Sequence, residues 1–194
     1  MTRKRLELDA RRAQLLALGL SAFSTKSYDA VSIDDLAQLA GVSKGLLYHY
    51  FPSKRDLYVA TVREAADQLL SRILPDAGLL PLDQLRHGVD AYLQYVRENA
   101  DAYLSLMQSG VGRDREVHAI VERTRQRFVQ TMLERIGSVK LSALQRVSVR
   151  GWVGMVEAAS LDWLKHSDVS RSELGALLVN ALIQTLQLGA TPSP

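Results

Sequence analysis

The sequence predicts an all-α protein, a three-helix N-terminal head followed by a larger helical body, and three observations carry that prediction. Apolar residues recur at helical spacing along almost all of the 194 residues, and no stretch alternates convincingly as a strand. Serines able to cap helices stand at Ser32, Ser43 and Ser53, each just before a periodic segment. A proline-bounded stretch, "PDAGLLP" from Pro75 to Pro81, reads as a joint between head and body.

Taken in order, a first helix is expected from about Leu6 to Phe23, with Ala13, Leu16, Leu20 and Phe23 as one stripe and Arg11 and Arg12 largely off it. Ser32 then precedes "IDDLAQLA", where Ile33, Leu36, Ala37 and Ala40 form a stripe and Asp35 completes a capping box. Gly41 supplies a break that tolerates positive φ, and Ser43 caps the short helix after it. Helix, glycine turn and helix make a helix-turn-helix. Beyond Pro52, Ser53 with Asp56 forms a second box and opens a helix to about Leu74. Further helices are expected over 82–98, 100–109, 114–136, 141–166 and 171–188. The last keeps Leu174, Leu177, Leu178, Ala181, Leu182, Thr185 and Leu186 on one face, and "TPSP" follows as a frayed tail. The expected division is a helix-turn-helix domain at 1–53, a connecting helix at 54–74 and a body at 75–194.

The formal charge of +3 is unevenly spread. Residues 1–60 hold nine Lys or Arg against six Asp or Glu, and residues 61–194 hold fifteen of each. A basic end on a neutral body is the distribution expected where one end meets a polyanion. The chain has no cysteine, which excludes disulfides, thiolate metal sites and cysteine nucleophiles. Glu7 and Asp9 interrupt what would be the apolar part of a signal peptide, and no apolar run reaches the roughly 18 residues of a membrane span. A cytoplasmic protein without a membrane partner is the expectation. His87, His118 and His166 are scattered singly, so no metal site is expected, and no catalytic triad, phosphate loop or dinucleotide fingerprint is present. Neither enzyme activity nor a cofactor is expected.

The short helix around "VSKGLLYHYFPSK" carries the most chemistry. Leu47 and Phe51, four apart, point into the head with Val42 below them, which leaves Lys44 with Tyr48 and Gly45 with His49 outside. Glycine in a first turn costs about 1 kcal/mol against alanine. That cost makes sense where another surface must approach closely. Lys44 can reach a guanine edge or a phosphate, Tyr48 can donate its hydroxyl to phosphate or cover the core, and Lys54 adds a charge at the next helix. Arg3, Lys4 and Arg5 read either as an arm for the minor groove or as a solvated tail.

The stretch "FSTKSYDAVSIDDLAQLAGVSKGLLYHYFPSKRDLY", Phe23 to Tyr58, resembles the DNA-binding signature of the TetR family of bacterial transcriptional repressors. The resemblance implies a homodimer, a palindromic double-stranded DNA operator and a ligand-responsive helical body. By the motif, Ser32, Ser43, Tyr48, His49 and Lys54 correspond to phosphate contacts and Lys44, Gly45 and Leu46 to the base-facing turn, while Tyr50 occupies a position that also approaches DNA in some members.

In the family the last two long helices pair with their counterparts in a four-helix bundle. Here Leu141 to His166 carries Gly151, Gly154, Ala158 and Ala159, small residues that permit close packing. The resemblance places an effector pocket among the middle helices, where Tyr92, Tyr95, Tyr103, Met107, Trp152 and Met155 are candidates beside a core role. Glu157 interrupts an apolar run and must be exposed, paired or used by a ligand, and Arg150, seven residues earlier, lies within reach of its face. The expected function is a ligand-responsive homodimeric repressor that a small, mainly apolar effector releases from its operator. The alternatives are a non-inducible DNA-binding factor whose helical body binds a protein partner, and a helical enzyme retaining the head.

Overall fold

The structure, a computed structural model, describes residues 3–26, 28–73, 78–108, 114–135 and 142–188, with the backbone alone for 3–7, 132–135 and 188. The elements are α1 (Arg3–Thr25), α2 (Ile33–Leu39), α3 (Lys44–Tyr50), α4 (Lys54–Ile73), α5 (Pro81–Glu98), α6 (Ala100–Gln108), α7 (Arg115–Arg135), α8 (Ala143–His166) and α9 (Arg171–Leu188). No strand occurs among the described residues. Residues 74–77 of the expected joint and the "TPSP" tail lie outside them.

The chain divides into two compact units, Met1–Gln68 with Asn99–Val121, and Leu69–Glu98 with Glu122–Pro194. Helices α4 and α7 therefore contribute residues to both. In the first unit Leu15, Leu16, Phe23, Val31, Ile33, Leu36, Leu47, Phe51 and Leu57 make one core. A smaller cluster of Val59, Val62, Val117 and Ile120, flanked by Leu106, joins α4, α6 and α7. Each fully buried side chain of this kind stabilises by about 1.5–3 kcal/mol relative to exposure.

The stripe expected on α1 holds at Leu16 and Phe23 and departs at its start, where Leu15 rather than Ala13 turns inward. Leu15 and Leu16 are buried with Phe23, while Ala13 is exposed and Leu20 half-buried. The reason is Gly19, where an added Cβ would lie 3.0 Å from both Leu57 Cδ1 and Thr61 Cγ2. Helix α1 thus meets Leu57 and Thr61 of α4 at Gly19, a choice between adjacent stripes that periodicity leaves open. The backbone of Arg3, Lys4 and Arg5 forms the first turn of α1; their side chains lie outside the described residues.

In the second unit α5, α8 and α9 enclose Leu85, Val89, Leu93, Val149, Trp152, Val153, Val156, Trp163, Leu174, Leu178 and Leu182. Of the stripe expected on α9, Leu174, Leu178 and Leu182 are buried, but Leu177 is 55% exposed. The helix is apolar around more than one face, so part of its leucine content turns away from this core. Ser142 with Gln145 and Ser170 with Glu173 form reciprocal capping boxes at the starts of α8 and α9.

Candidate nucleic-acid interface

Three serine caps and one glycine set the local geometry. The Ser32 Oγ accepts from the Asp35 amide at 3.3 Å, and the Ser43 Oγ accepts from the Leu46 amide at 3.1 Å. Ser53 accepts from the Asp56 amide at 3.0 Å and donates its hydroxyl to Asp56 Oδ2 at 2.7 Å. Between α2 and α3, Gly41 adopts φ +63°, and the Val42 amide donates to the Ala37 carbonyl at 3.0 Å. That backbone conformation admits glycine readily and side chains poorly. The turn is thereby fixed in shape.

Helix α3 is held from below by Leu47 and Phe51, 2% and 3% exposed, with half-buried Val42 beside them. Phe51 ends the helix with φ −134° and ψ 98°, the extended conformation expected before Pro52. The outward face then consists of Lys44, Gly45, Leu46, Tyr48 and His49, all exposed. At Gly45 an added Cβ would meet only Ser43 Oγ, at 3.9 Å, so the helix surface there is open to a neighbouring molecule. Ser32 and Ser43 use an oxygen lone pair for capping, which leaves each hydroxyl proton for an outside acceptor.

The remaining expected residues are more constrained. Tyr50 is half-buried against the head core, and its ring meets His49 edge-on at 5.5 Å. Lys54 donates to the Asp29 carbonyl at 3.3 Å and lies 4.6 Å from the centre of the Tyr28 ring, which fixes its stem and leaves donor capacity on the ammonium. Lys44 is ion-paired with Asp34 on α2, 2.9 Å from Oδ1 and 3.0 Å from Oδ2. The hydrogen bond to Asp34, and then its negative charge, raise the Lys44 pKa.

Two neighbours of this face come from elsewhere in the sequence: Asp34, which pairs with Lys44, and Arg12, off the apolar stripe of α1, whose guanidinium lies 5.1 Å from the centre of the Phe51 ring. Neither pairing has a local signal, because each partner sits on a different helix.

The candidates for an effector site fall in both units: Tyr103 and Met107 on α6 in the first, and Tyr92, Tyr95, Trp152, Met155 and Glu157 in the second. Trp152 is buried, donates its indole N–H to the Leu178 carbonyl at 2.8 Å and stacks on Phe128. Tyr95 is buried beneath the Arg72 guanidinium, and Met155 is exposed. Both Glu157 oxygens accept from Arg125, Oε1 from Nε at 2.7 Å and Oε2 from Nη2 at 2.8 Å. Arg150, expected near Glu157, pairs instead with Glu122 at 3.1 Å, because α7 brings the better-placed guanidinium of Arg125 to that face. Among the described residues no group of three or more His, Asp or Glu is arranged to hold a metal ion, and no helix is long and apolar enough to cross a membrane.

Residues 15–61 match the family described as bacterial regulatory proteins, tetR family, and residues 81–185 match the tetracyclin repressor-like C-terminal domain. A solved tetR-family transcriptional regulator from Streptomyces coelicolor is 32% identical, with a TM-score of 0.86 over 94% of this chain and 82% of that one. The HTH-type transcriptional activator FasR of Mycolicibacterium smegmatis is 31% identical over 120 residues, 61% of this chain and 55% of that protein. The HTH-type transcriptional repressor KstR2 of Mycobacterium tuberculosis is 32% identical over 82 residues, 41% of each. The matched stretches thus span about half of these two relatives or less. Two family matches covering head and body, with a solved relative alike in sequence and fold, lead to one conclusion: the chain belongs to the TetR family of bacterial regulatory proteins.

Proposed function

We propose that this protein is a homodimeric, sequence-specific DNA-binding transcriptional regulator, a repressor that leaves a palindromic operator when a small, mainly apolar molecule occupies its body. The observation that carries the reading is the outward face of α3. A helix of seven residues, capped by Ser43 and anchored by Leu47, exposes Lys44, Tyr48 and His49 beside an open Gly45. In the proposed complex that face enters the major groove while Ser32, Ser43, Tyr48, His49 and Lys54 engage phosphates and Lys44, Gly45 and Leu46 face the bases, with Tyr50 alongside.

One head covers too little DNA for a full operator, so two copies must be held about 34 Å apart, one helical turn. A strip on α8 supports such a pairing. Leu144 and Val147 are 60% and 57% exposed, and Gly151, Gly154, Met155 and Ala158 continue the same side. An added Cβ at Gly151 or Gly154 would meet nothing within 4 Å, so packing inside one chain does not require either glycine. A second copy approaching this face, with Leu177 of α9, accounts for both the apolar exposure and the small residues.

For the effector, the polar atoms of Trp152 and Glu157 are already engaged within the protein, which favours recognition by shape and apolar contact. The effector must bind better to a conformation with wrongly spaced heads, since equal affinity would shift nothing. Helix α4 is the proposed lever.

The test is selection of genomic DNA fragments by the purified protein, with and without a small-molecule extract. Enrichment of a palindrome that the extract abolishes is the expected result. Enrichment that no extract reverses overturns the inducible reading in favour of a partner-binding body, and absence of any enrichment overturns DNA recognition. Binding should also weaken steeply with salt, by about one unit of log–log slope per phosphate contact.

A further inference from the structure

The Asp34–Lys44 ion pair spans the helix-turn-helix itself. Asp34 lies in the first turn of α2 and Lys44 opens α3, and Nζ sits almost equally far from both carboxylate oxygens, 2.9 Å and 3.0 Å. The side chains are 68% and 51% exposed, so the pair is on the surface and contributes little to folding. The helices that carry it are locked together by the Gly41 turn and by buried Leu36, Ala37, Ala40 and Leu47. The backbones that carry Asp34 and Lys44 are therefore held at a fixed separation.

A lone lysine on a DNA-facing helix binds any phosphate. Each neutralised phosphate releases counterions whatever the base sequence, which raises affinity for all DNA alike. A carboxylate at 2.9 Å cancels that advantage, since the local charge is zero and Asp34 is itself repelled by the backbone. Lys44 then contributes net affinity where it leaves Asp34 for acceptors that the carboxylate does not repel. The O6 and N7 atoms on one edge of guanine are such acceptors, being uncharged and set inside the major groove away from the backbone.

We infer that Asp34 is a specificity-setting residue, a positioning carboxylate that withholds Lys44 from random phosphates and releases it to a guanine edge. This rests on the reading of α3 as the DNA-facing helix, and it adds a residue that the DNA-binding signature does not assign.

The experiment takes the full chain, selects a preferred duplex from a random duplex pool, and measures affinity for that duplex and for a scrambled one from about 50 to about 300 mM salt. The proteins are the natural sequence, Asp34→Asn, Asp34→Glu, Lys44→Ala and the Asp34→Asn, Lys44→Ala double variant. Asp34→Asn is expected to tighten scrambled DNA on the order of tenfold near 0.1 M salt and to steepen its salt slope by about one, as one added phosphate contact does. The selected duplex should change less, so the specificity ratio falls. Asp34→Glu should restore the ratio, and Asp34→Asn should have no effect on it where Lys44 is alanine. An unchanged ratio overturns the inference. So does an Asp34→Asn effect that persists without Lys44, because that is general repulsion rather than control of one lysine. If the natural protein selects no duplex at all, the DNA-facing reading fails first, and the inference with it.

Discussion

Arg55 holds Asp114 through two parallel hydrogen bonds, Nε to Oδ2 at 2.7 Å and Nη2 to Oδ1 at 3.0 Å. The same carboxylate accepts from the Glu116 and Val117 amides at the start of α7, and Glu116 in turn pairs with Arg55 and Arg63. Within one compact unit, the first turns of α4 and α7 are thus tied by a shared acid. The Arg55 hydrogen bond is the main cause of an Asp114 pKa below its ordinary value of 3.8, with the two amides assisting against the opposing effect of burial. A depressed carboxylate stabilises the fold fully above its unfolded pKa and loses that contribution as pH falls through the folded value. Asp114→Asn should therefore lower the melting temperature near neutral pH, and the gap should close as pH drops below about 4. Thermal unfolding followed at several pH values checks this; a gap independent of pH would assign the effect to lost caps alone.

Tyr48 is 38% exposed and is not part of the head core. Tyr48→Ala should weaken operator binding by about tenfold or more, the worth of one hydrogen bond to a charged group, while melting temperature and dimer mass stay unchanged. Titration of a labelled duplex beside sedimentation separates the two effects. Unaltered DNA affinity would remove Tyr48 from the interface.

Gly41 has open space around its missing Cβ but a φ of +63°. Gly41→Ala should then destabilise the head by about 1 kcal/mol through backbone strain, without any clash. Denaturant unfolding gives the value, and DNA affinity should fall with it because α2 and α3 meet at this turn.

The Arg125–Glu157 pair is largely enclosed, with side chains 18% and 20% exposed. Burial disfavours the Arg125 charge, but Glu157 and then Glu122 outweigh it and raise its pKa. Glu157→Ala or Arg125→Ala alone should cost about 2 kcal/mol, less than for a fully buried pair because solvent still reaches both groups. The combined Arg125→Met and Glu157→Leu variant should recover much of that loss, since no charge is left unpaired. Chemical denaturation of the three variants is the check.

Val147 and Leu177 are exposed in the single chain. Val147→Glu with Leu177→Glu should leave helical content intact and yield a monomer in sedimentation, with operator affinity reduced far more than affinity for a half-site. A dimer that survives both charges would place the interface elsewhere.

The legible parts of this protein were those governed by short spacings. Ser43 caps α3, Gly41 takes positive φ and Leu47 with Phe51 faces inward, because each depends on neighbours within about one helical turn. Ser142–Gln145 and Ser170–Glu173, which close both hydrogen bonds of a capping box, have the same three-residue spacing as Ser32–Asp35 and Ser53–Asp56 and are legible on the same local ground. The tyrosine-rich segment ending in Phe51 identified the family for the same local reason.

By itself, then, the sequence determined the all-helical class, the order of the elements, the register of the helix-turn-helix and the residues its second helix turns outward. Tertiary structure alone decided which charges meet. Lys44 found Asp34, Glu157 found Arg125 rather than Arg150, Arg55 found Asp114, and α1 buried Leu15 rather than Ala13. Periodicity states that a face is apolar or charged, but several faces and several arginines are chemically equivalent along one chain. The packing of one helix against another selects among them, and that selection depends on atoms far apart in sequence, such as Gly19 against Leu57 and Thr61.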